Sequence, residues 1–470
     1  MPRSDVPPAE YPPRVRHDVV IVGAGLAGLT AANALGGRDV LLLEAEDRVG
    51  GRIRSEPREP YWLNEGAHLF GGPDTPVGAL IERYGLDARS VDGSFTAVAM
   101  DGRFVRDGSP INLLRQLPLS LRGRFALARA GARILRDARA YQSFAAPRPG
   151  EMPADVNRRL LTFMNDRSFA QLLGALPPDT DQLFRAISNR AQAAPEDLAA
   201  GGAMAAFALV FAKSASLGRN IIGGAGQLVD AMNRSHDATV ETDARVTSVV
   251  PGNDGVIVRY STPNGLREAV AEAAIVATPP HVAAVIIAHL PSDTADALRS
   301  VRYGPSVVMT LLTGETGRVP WDGVYSAVVP GRSFNMFFNQ ADVTRAKDEP
   351  RQPGGSLMVY ASGELGRQIL QEDDATIRDR FLADLYEVFP ACRGIVQEVA
   401  LRRWEYATAF THPGRALLQP ALDRQLGRVA LAGDYLGAWF TDSAILTATE
   451  AVRRIEPVLE RARSAAHRES

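Results

Sequence analysis

Several things are scarce in this sequence, and each shortage removes a class of answer. Among 470 residues there is one cysteine, Cys392, so neither an internal disulfide nor a multi-cysteine metal site is available, and a reducing, cytoplasmic setting is expected. Charge of one sign is also lacking: 52 basic residues against 54 acidic ones leave a formal net charge of −2, and no nucleic-acid partner is expected. Only two of the basic residues, Lys213 and Lys347, are lysines, a bias that reads as genomic composition. No H-E-x-x-H, paired-cysteine or aspartate-rich signature is present, so no metal site is expected. The longest near-apolar run, Ala199 to Ala212, falls short of the roughly 20 residues a spanning helix needs and reads as a buried helix. The opening MPRSDVPPAEYPPRV has proline and charge where an export signal has an apolar core, so residues 1–15 read as a flexible leader.

What is present is patterned. From Asp18 to Val22 an apolar strand leads into Gly23-Ala24-Gly25-Leu26-Ala27-Gly28; a helix follows to Leu35, and a second apolar strand, Val40 to Leu43, ends at Glu44. This is a βαβ unit, the opening of a doubly wound α/β sheet. Between 96 and 219, alanine, arginine and leucine at helical spacing replace strand signals. Strands return in ATVETDARVTSVV, GVIVRY and EAVAEAAIVATPP, and the Asn253-Asp254-Gly255 and Pro263-Asn264-Gly265 turns between them predict a three-strand meander. A second excursion, 291–397, mixes strand-like runs with an amphipathic helix near Ala375 to Val388, and the chain closes with strand, turn and helix. The expected organisation is a nucleotide domain from residues 16–95, 220–290 and 398–465, with a substrate domain from 96–219 and 291–397.

The glycine turn carries its own chemistry. Gly23 allows the sharp turn, Gly25 lets backbone approach a pyrophosphate, and Gly28 permits close packing of helix on strand. Amides at the helix start face the anion, where the helix dipole favours negative charge. Glu44, 21 positions after Gly23, is placed to accept hydrogen bonds from ribose hydroxyls. Strand, turn, helix, strand and acid in that order read as dinucleotide binding. The run Ala45-Glu46-Asp47-Arg48-Val49-Gly50-Gly51-Arg52 then adds a second glycine turn and two arginines able to clamp the same pyrophosphate, which favours a cofactor that stays bound.

This E-A-x-x-R-x-G-G-R run resembles the opening of the flavin amine oxidase superfamily, which includes amine oxidases, protoporphyrinogen oxidases, phytoene and squalene-type desaturases, and Rab escort proteins. The resemblance implies FAD, and an α/β fold: a Rossmann-like, two-dinucleotide-binding-domain flavin domain with a discontinuous α+β substrate domain. It extends to Asn64-Glu65-Gly66-Ala67-His68-Leu69-Phe70, which looks like the loop beneath the flavin ring, and to Gly223-Gly224-Ala225-Gly226-Gln227-Leu228, which looks like the turn entering the second nucleotide segment. Val246 matches the strand whose backbone contacts the adenine side, and Ala277-Thr278-Pro279-Pro280 matches the end of that segment. Leu431-Ala432-Gly433-Asp434 matches the C-terminal flavin motif. There the aspartate meets the ribityl phosphate region, and the following helix start, Thr441-Asp442-Ser443, faces the ring's carbonyl edge. Thr447-Ala448-Thr449 departs from the family's frequent E-G-A.

Within the family, amine oxidases commonly carry a lysine on the strand after A-T-P-P, and the matching position in YGPSVVMTLL is Met309, at the expected substrate site. Cys392 lies far before the flavin-linking cysteine of covalent members, so FAD is expected to be noncovalent. The run from Glu405 through Phe410, His412 and Pro413-Gly414 resembles the desaturase and hydroxysqualene-dehydroxylase side, and protoporphyrinogen oxidases share Trp404. The expected reaction is dehydrogenation or desaturation of a bulky, largely apolar isoprenoid, tetrapyrrole or secondary metabolite by hydride transfer to the flavin. An amine or amino-acid oxidase and a flavin-bearing isomerase are the alternatives. His68 is the candidate for proton transfer, against a plain loop hydrogen-bonder. Tyr406 and His412 are further candidates, with core packing and turn capping as their bland readings; Trp404, Phe410 and Trp439 are expected at a substrate wall. The basic helix from Leu121 to Tyr141 offers either a solvated arginine face or a peripheral membrane contact.

Overall fold

A computed structural model describes residues 15–92, 97–106, 110–210, 216–345, 351–438 and 440–469. The expected leader therefore lies almost wholly outside the described residues, as do Lys213, Lys347, the end of the Ala199–Ala212 run, and Trp439.

The first sheet is built around Val15–Val22, which pairs in parallel with Val40–Leu43 on one side and with Gly265–Val276 on the other. Thr239–Glu241 extends it beyond Val40–Leu43, and Val429–Leu431 pairs with Ala274 to Val276. The predicted meander is present: Arg245–Pro251 and Val256–Thr262 run antiparallel and lead into the first half of Gly265–Val276. These central strands are almost uniformly apolar because both faces are covered. Val19 and Ile21 pack under the helices Leu26–Ala34 and Phe440–Glu469, while Val20 and Val22 pack under the meander and the helices Pro280–Ile286 and Ser292–Ser300.

The second sheet has the order Val396–Ala409, Tyr303–Thr313, Gly355–Ser362, Met336–Asn339, Ser326–Val328, Ala97–Met100, Arg103–Val105. Its far face, with Val307, Met309 and Leu311, is covered by Ile377, Phe381 and Leu385 of the helix Asp374–Val388. Its near face turns toward the loop Asn64 to Phe70 and the helix Pro178–Arg190. A layer of helices between residues 110 and 210 has a core of its own around Ile134, Phe169 and Met204.

Two expected boundaries shift. Val396–Ala409 pairs along Tyr303–Thr313, so the third nucleotide-domain segment begins after this strand rather than at 398. Ser292–Ser300 places Ala297 and Leu298 in the core of the first sheet, so the second segment runs past 290. The helical region also opens with two strands, Ala97–Met100 and Arg103–Val105, that join the second sheet.

Candidate cofactor groove and active site

Backbone makes the groove. Gly23 has φ +99°, and a β-carbon at Gly28 would lie 1.8 Å from the Gly23 carbonyl oxygen, so helix and turn approach as only glycine allows. A β-carbon at Gly25 would meet nothing within 4 Å. Gly25 is also the N-cap of Leu26–Ala34, and no side chain caps that helix, leaving its first amides for an external acceptor. The second glycine turn folds onto the first: Gly50 N–H donates to Ala24 O at 2.8 Å, and a β-carbon at Gly51 would lie 3.3 Å from Gly25 Cα. Glu44 closes the end of the groove, its Oε2 accepting from Ala24 N–H at 2.7 Å and its Oε1 from Glu46 N–H at 3.0 Å. Ala244 N–H donates to Glu44 O at 2.7 Å, which brings the strand of Val246 alongside. Across the turn, the buried Thr278 hydroxyl has no partner among the described residues. An open glycine cradle, an uncapped helix start, an acid at the strand end and a spare hydroxyl fit a dinucleotide.

Beyond the cradle, three chain segments meet. Arg52 donates to both carboxylate oxygens of Asp434 at 2.8 Å, and Tyr303 donates its hydroxyl to Asp434 Oδ1 at 2.8 Å. Burial works against both charges, yet each holds the other: the Arg52 pKa sits above its ordinary value and the Asp434 pKa below. Burial, with Asp434 adding to it, pushes the Tyr303 phenol well up, so it remains a donor.

On the near face of the second sheet lies His68. Its Nδ1 is 3.0 Å from Gly66 O, which fixes the proton on Nδ1 and leaves Nε2, buried and without a partner among the described residues, as a bare acceptor. Burial lowers its pKa to about 4 against the pull of Gly66 O, and the Arg190 charge lowers it further, so His68 is neutral at neutral pH. Phe338 meets the imidazole edge-on at 5.0 Å, Tyr325 lies at 6.4 Å, and Tyr360 stacks on Phe338 at 5.5 Å. Behind them, Asn220 donates to Tyr325 Oη and to Gln340 Oε1, both at 2.8 Å, and Asn64 donates to the same Gln340 oxygen at 2.9 Å. Tyr360 hydrogen-bonds Arg190, whose pKa burial lowers. Val308, Met336 and Met358 complete an apolar floor.

Residues 26–456 match the family of flavin containing amine oxidoreductases. The chain belongs to this family. It is 28% identical over 360 residues to a chloroplastic protoporphyrinogen oxidase of Oryza sativa subsp. japonica, covering 65% of this chain and 60% of that protein. It is 41% identical over 92 residues to a putrescine oxidase of Kocuria rosea, covering 19% of each. The matches thus span less than two thirds of either relative. A solved putrescine oxidase bound to putrescine superposes with a TM-score of 0.70 at 19% identity, over 94% of this chain and 99% of that one. Cyclohexylamine oxidase from Brevibacterium oxydans IH-35A superposes with a TM-score of 0.71 at 18% identity, over 95% and 99%. At such identities the likeness shows the fold. The chain is a flavin-dependent oxidoreductase with an α/β flavin-binding fold.

In this flavin oxidoreductase several expected site residues take other places. Arg48 braces the second glycine turn from within its own loop, its guanidinium donating to Val49 O at 2.9 Å and Gly51 O at 2.6 Å. Asp442 accepts from Val77 N–H at 2.9 Å and so caps the helix Pro76–Arg83, and Ser443 is fully buried against Asn157. The Asp442 and Ser443 side chains are thus both engaged within the protein. Thr447, the departure from E-G-A, accepts from Gly433 N–H at 3.0 Å and so steadies the glycine it follows.

Met309 is corrected as well. It is fully buried on the far face against the helix Asp374–Val388, and the strand's alternation gives the near face to Val308 and Thr310. Neither is a lysine. Trp404 comes to the site side, donating Nε1–H to Glu65 O at 2.6 Å, with Glu65 also held by Arg402 at 3.1 Å. Tyr406 does not join His68: it is 41% exposed, stacked on His281 at 3.9 Å and edge-on to Tyr303 at 6.3 Å. Phe410 packs into the helical core, and the His412 carbonyl accepts from Asn165 Nδ2 at 2.8 Å, so both serve the seam between the strand end and the helices. Sequence reasoning missed Tyr303, Tyr325, Tyr360 and Arg190, which no spacing singles out.

Proposed function

We propose that the cofactor is FAD held without a covalent bond, and that the enzyme dehydrogenates a bulky, largely apolar substrate that is neutral or anionic. The cradle of Gly25, Gly51 and the start of Leu26–Ala34 would hold the pyrophosphate, Glu44 the adenosine ribose, and Arg52 with Asp434 the ribityl phosphate side. The flavin supplies a hydride acceptor. The sole cysteine supports the noncovalent reading: Cys392 is buried in the far-face core beside Phe389, and burial pushes its thiol up to about 12.

The observation that carries the substrate class is the wall around His68. Val308, Met336, Phe338 and Met358 give it apolar area, and Arg190 sets its electrostatic sign. The Arg190 charge that lowers the His68 pKa opposes an ammonium group in the same space and favours a neutral or acid-bearing molecule. His68 Nε2 is the group placed to accept a proton. The flavin band, followed under anaerobic conditions, tests this. Bleaching by polyenes or porphyrinogens supports the reading; bleaching by putrescine or other amines, with peroxide on admitting air, replaces it with amine oxidation. Arg190→Gln should raise KM for an acidic substrate about tenfold, the effect of losing one charge-assisted hydrogen bond.

A further inference from the structure

The second sheet and the groove leave one surface unused. The helix Leu121–Ala145, capped by Ser120 through Gly123 N–H, is about 37 Å long at 1.5 Å per residue. One face, with Ala126, Ala130, Ile134, Ala138 and Tyr141, packs on the helical core. The opposite face begins with Leu121, 87% exposed, and Phe125, 74% exposed, one turn apart. The short helix Pro110–Gln116 packs beside it and adds Ile111, 69% exposed. Large apolar side chains so fully in water, and adjacent, mark a contact surface rather than scatter.

The charge along these two helices is predominantly positive. Residues 110–145 hold seven arginines and a single acid, Asp137. Among the described residues Asp137 pairs with Arg136, and Asp179, across the helix start, accepts from Ser120 N–H. Arg115, Arg122 and Arg129 are exposed beside the apolar residues. No described helix is long and apolar enough to cross a membrane, so this one is suited to lying in an interface.

We infer that the face formed by Ile111, Leu121 and Phe125 with Arg115, Arg122 and Arg129 docks this enzyme on an anionic lipid surface. The apolar side chains enter the acyl boundary while the arginines meet lipid phosphates at headgroup level. A second copy of the chain fits less well, because two such faces would set arginine against arginine.

Co-sedimentation of the flavin-loaded enzyme with vesicles tests it. The protein should pellet with mixed phosphatidylcholine and phosphatidylglycerol, less so at high salt, and stay in solution with phosphatidylcholine alone. Leu121→Asp with Phe125→Asp should cut binding at least tenfold, and Arg122→Gln or Arg129→Gln about fivefold each. Unchanged flavin absorption and melting temperature show that these exposed variants are folded. Failure of the wild type to pellet with anionic vesicles would overturn the inference, as would equal pelleting of the double aspartate variant. So would a lipid-free dimer, seen by sedimentation velocity, that the double variant dissolves.

Discussion

At the glycine groove the decisive contacts are backbone on backbone: Gly50 N–H on Ala24 O, Gly51 against Gly25, Gly28 against Gly23. Around His68 they are side chain on side chain, drawn from positions as far apart as Asn64, Arg190, Asn220, Phe338 and Trp404. The first kind of surface tolerates few residues and binds a group common to a whole family. The second is free to vary its shape and charge, which is where relatives with one cofactor diverge in substrate.

The comparison breaks first at two glycines of the same turn. Gly28→Val drives side-chain atoms into the Gly23 carbonyl and should cost about 3 kcal/mol or more, read as loss of the cooperative melt. Gly25→Val meets only open space, so the flavin-free protein should melt as before while flavin affinity falls about a hundredfold, on the order of 3 kcal/mol. Equal unfolding of both would mean that Gly25 serves the fold and not the cofactor.

The two faces of Tyr303–Thr313 offer the next division. Met309→Ala, in the far-face core, should lose about 2 to 5 kcal/mol in urea unfolding and leave KM alone. Val308→Ala should shift KM for the apolar substrate at a smaller stability cost. A reversed pattern would move the site to the other face.

His68 sharpens the contrast through pH. Its folded pKa, about 4, lies below the ordinary 6.5, so the unfolded chain takes up the proton first. The stabilisation is complete above about pH 6.5 and lost as pH falls toward 4, in all about 3 kcal/mol. Unfolding curves of wild type and His68→Gln should therefore converge with falling pH across this window.

The smallest effect has the opposite sign. Burial, and then Asp74, push the Asp442 carboxyl up to about 6 from an ordinary 3.8, against the pull of Val77 N–H. Stability tied to it is present below about pH 4 and lost as pH rises through 6. Asp442→Asn keeps an acceptor for Val77 and should stabilise by about 1 kcal/mol above pH 6, after allowance for solvent screening, with no effect at pH 3. Unchanged flavin content in this variant would confirm that the side chain works as a helix cap.

How much of this was legible follows from the same division. The strand, the turn, Glu44 and the second glycine run are local, and backbone geometry demands their residue types within a few positions of each other. Two arginines four positions apart look alike in sequence, while in the structure one turns back on Val49 and Gly51 and the other reaches Asp434. Met309 lies away from the wall because side chains alternate along the strand: Val307, Met309 and Leu311 face the far-side core and Val308 the near side. Val396–Ala409 was assigned to the wrong domain because QEVALRRWEYATA is an edge strand, half-buried along its length, without the apolar alternation that would tie it to a sheet. Of the aromatic wall the sequence signalled only Trp404 and the Phe-rich run that holds Phe338; Tyr325 and Tyr360 join them only in three dimensions.

The meeting of Arg52, Asp434 and Tyr303 also ties the two sheets to each other. Tyr303 begins the longest-paired strand of the second sheet, and Asp434 follows the last strand of the first. Rocking one sheet against the other would strip the phenol from a buried carboxylate already gripped by a bidentate arginine. That seam couples the two sheets through one buried carboxylate.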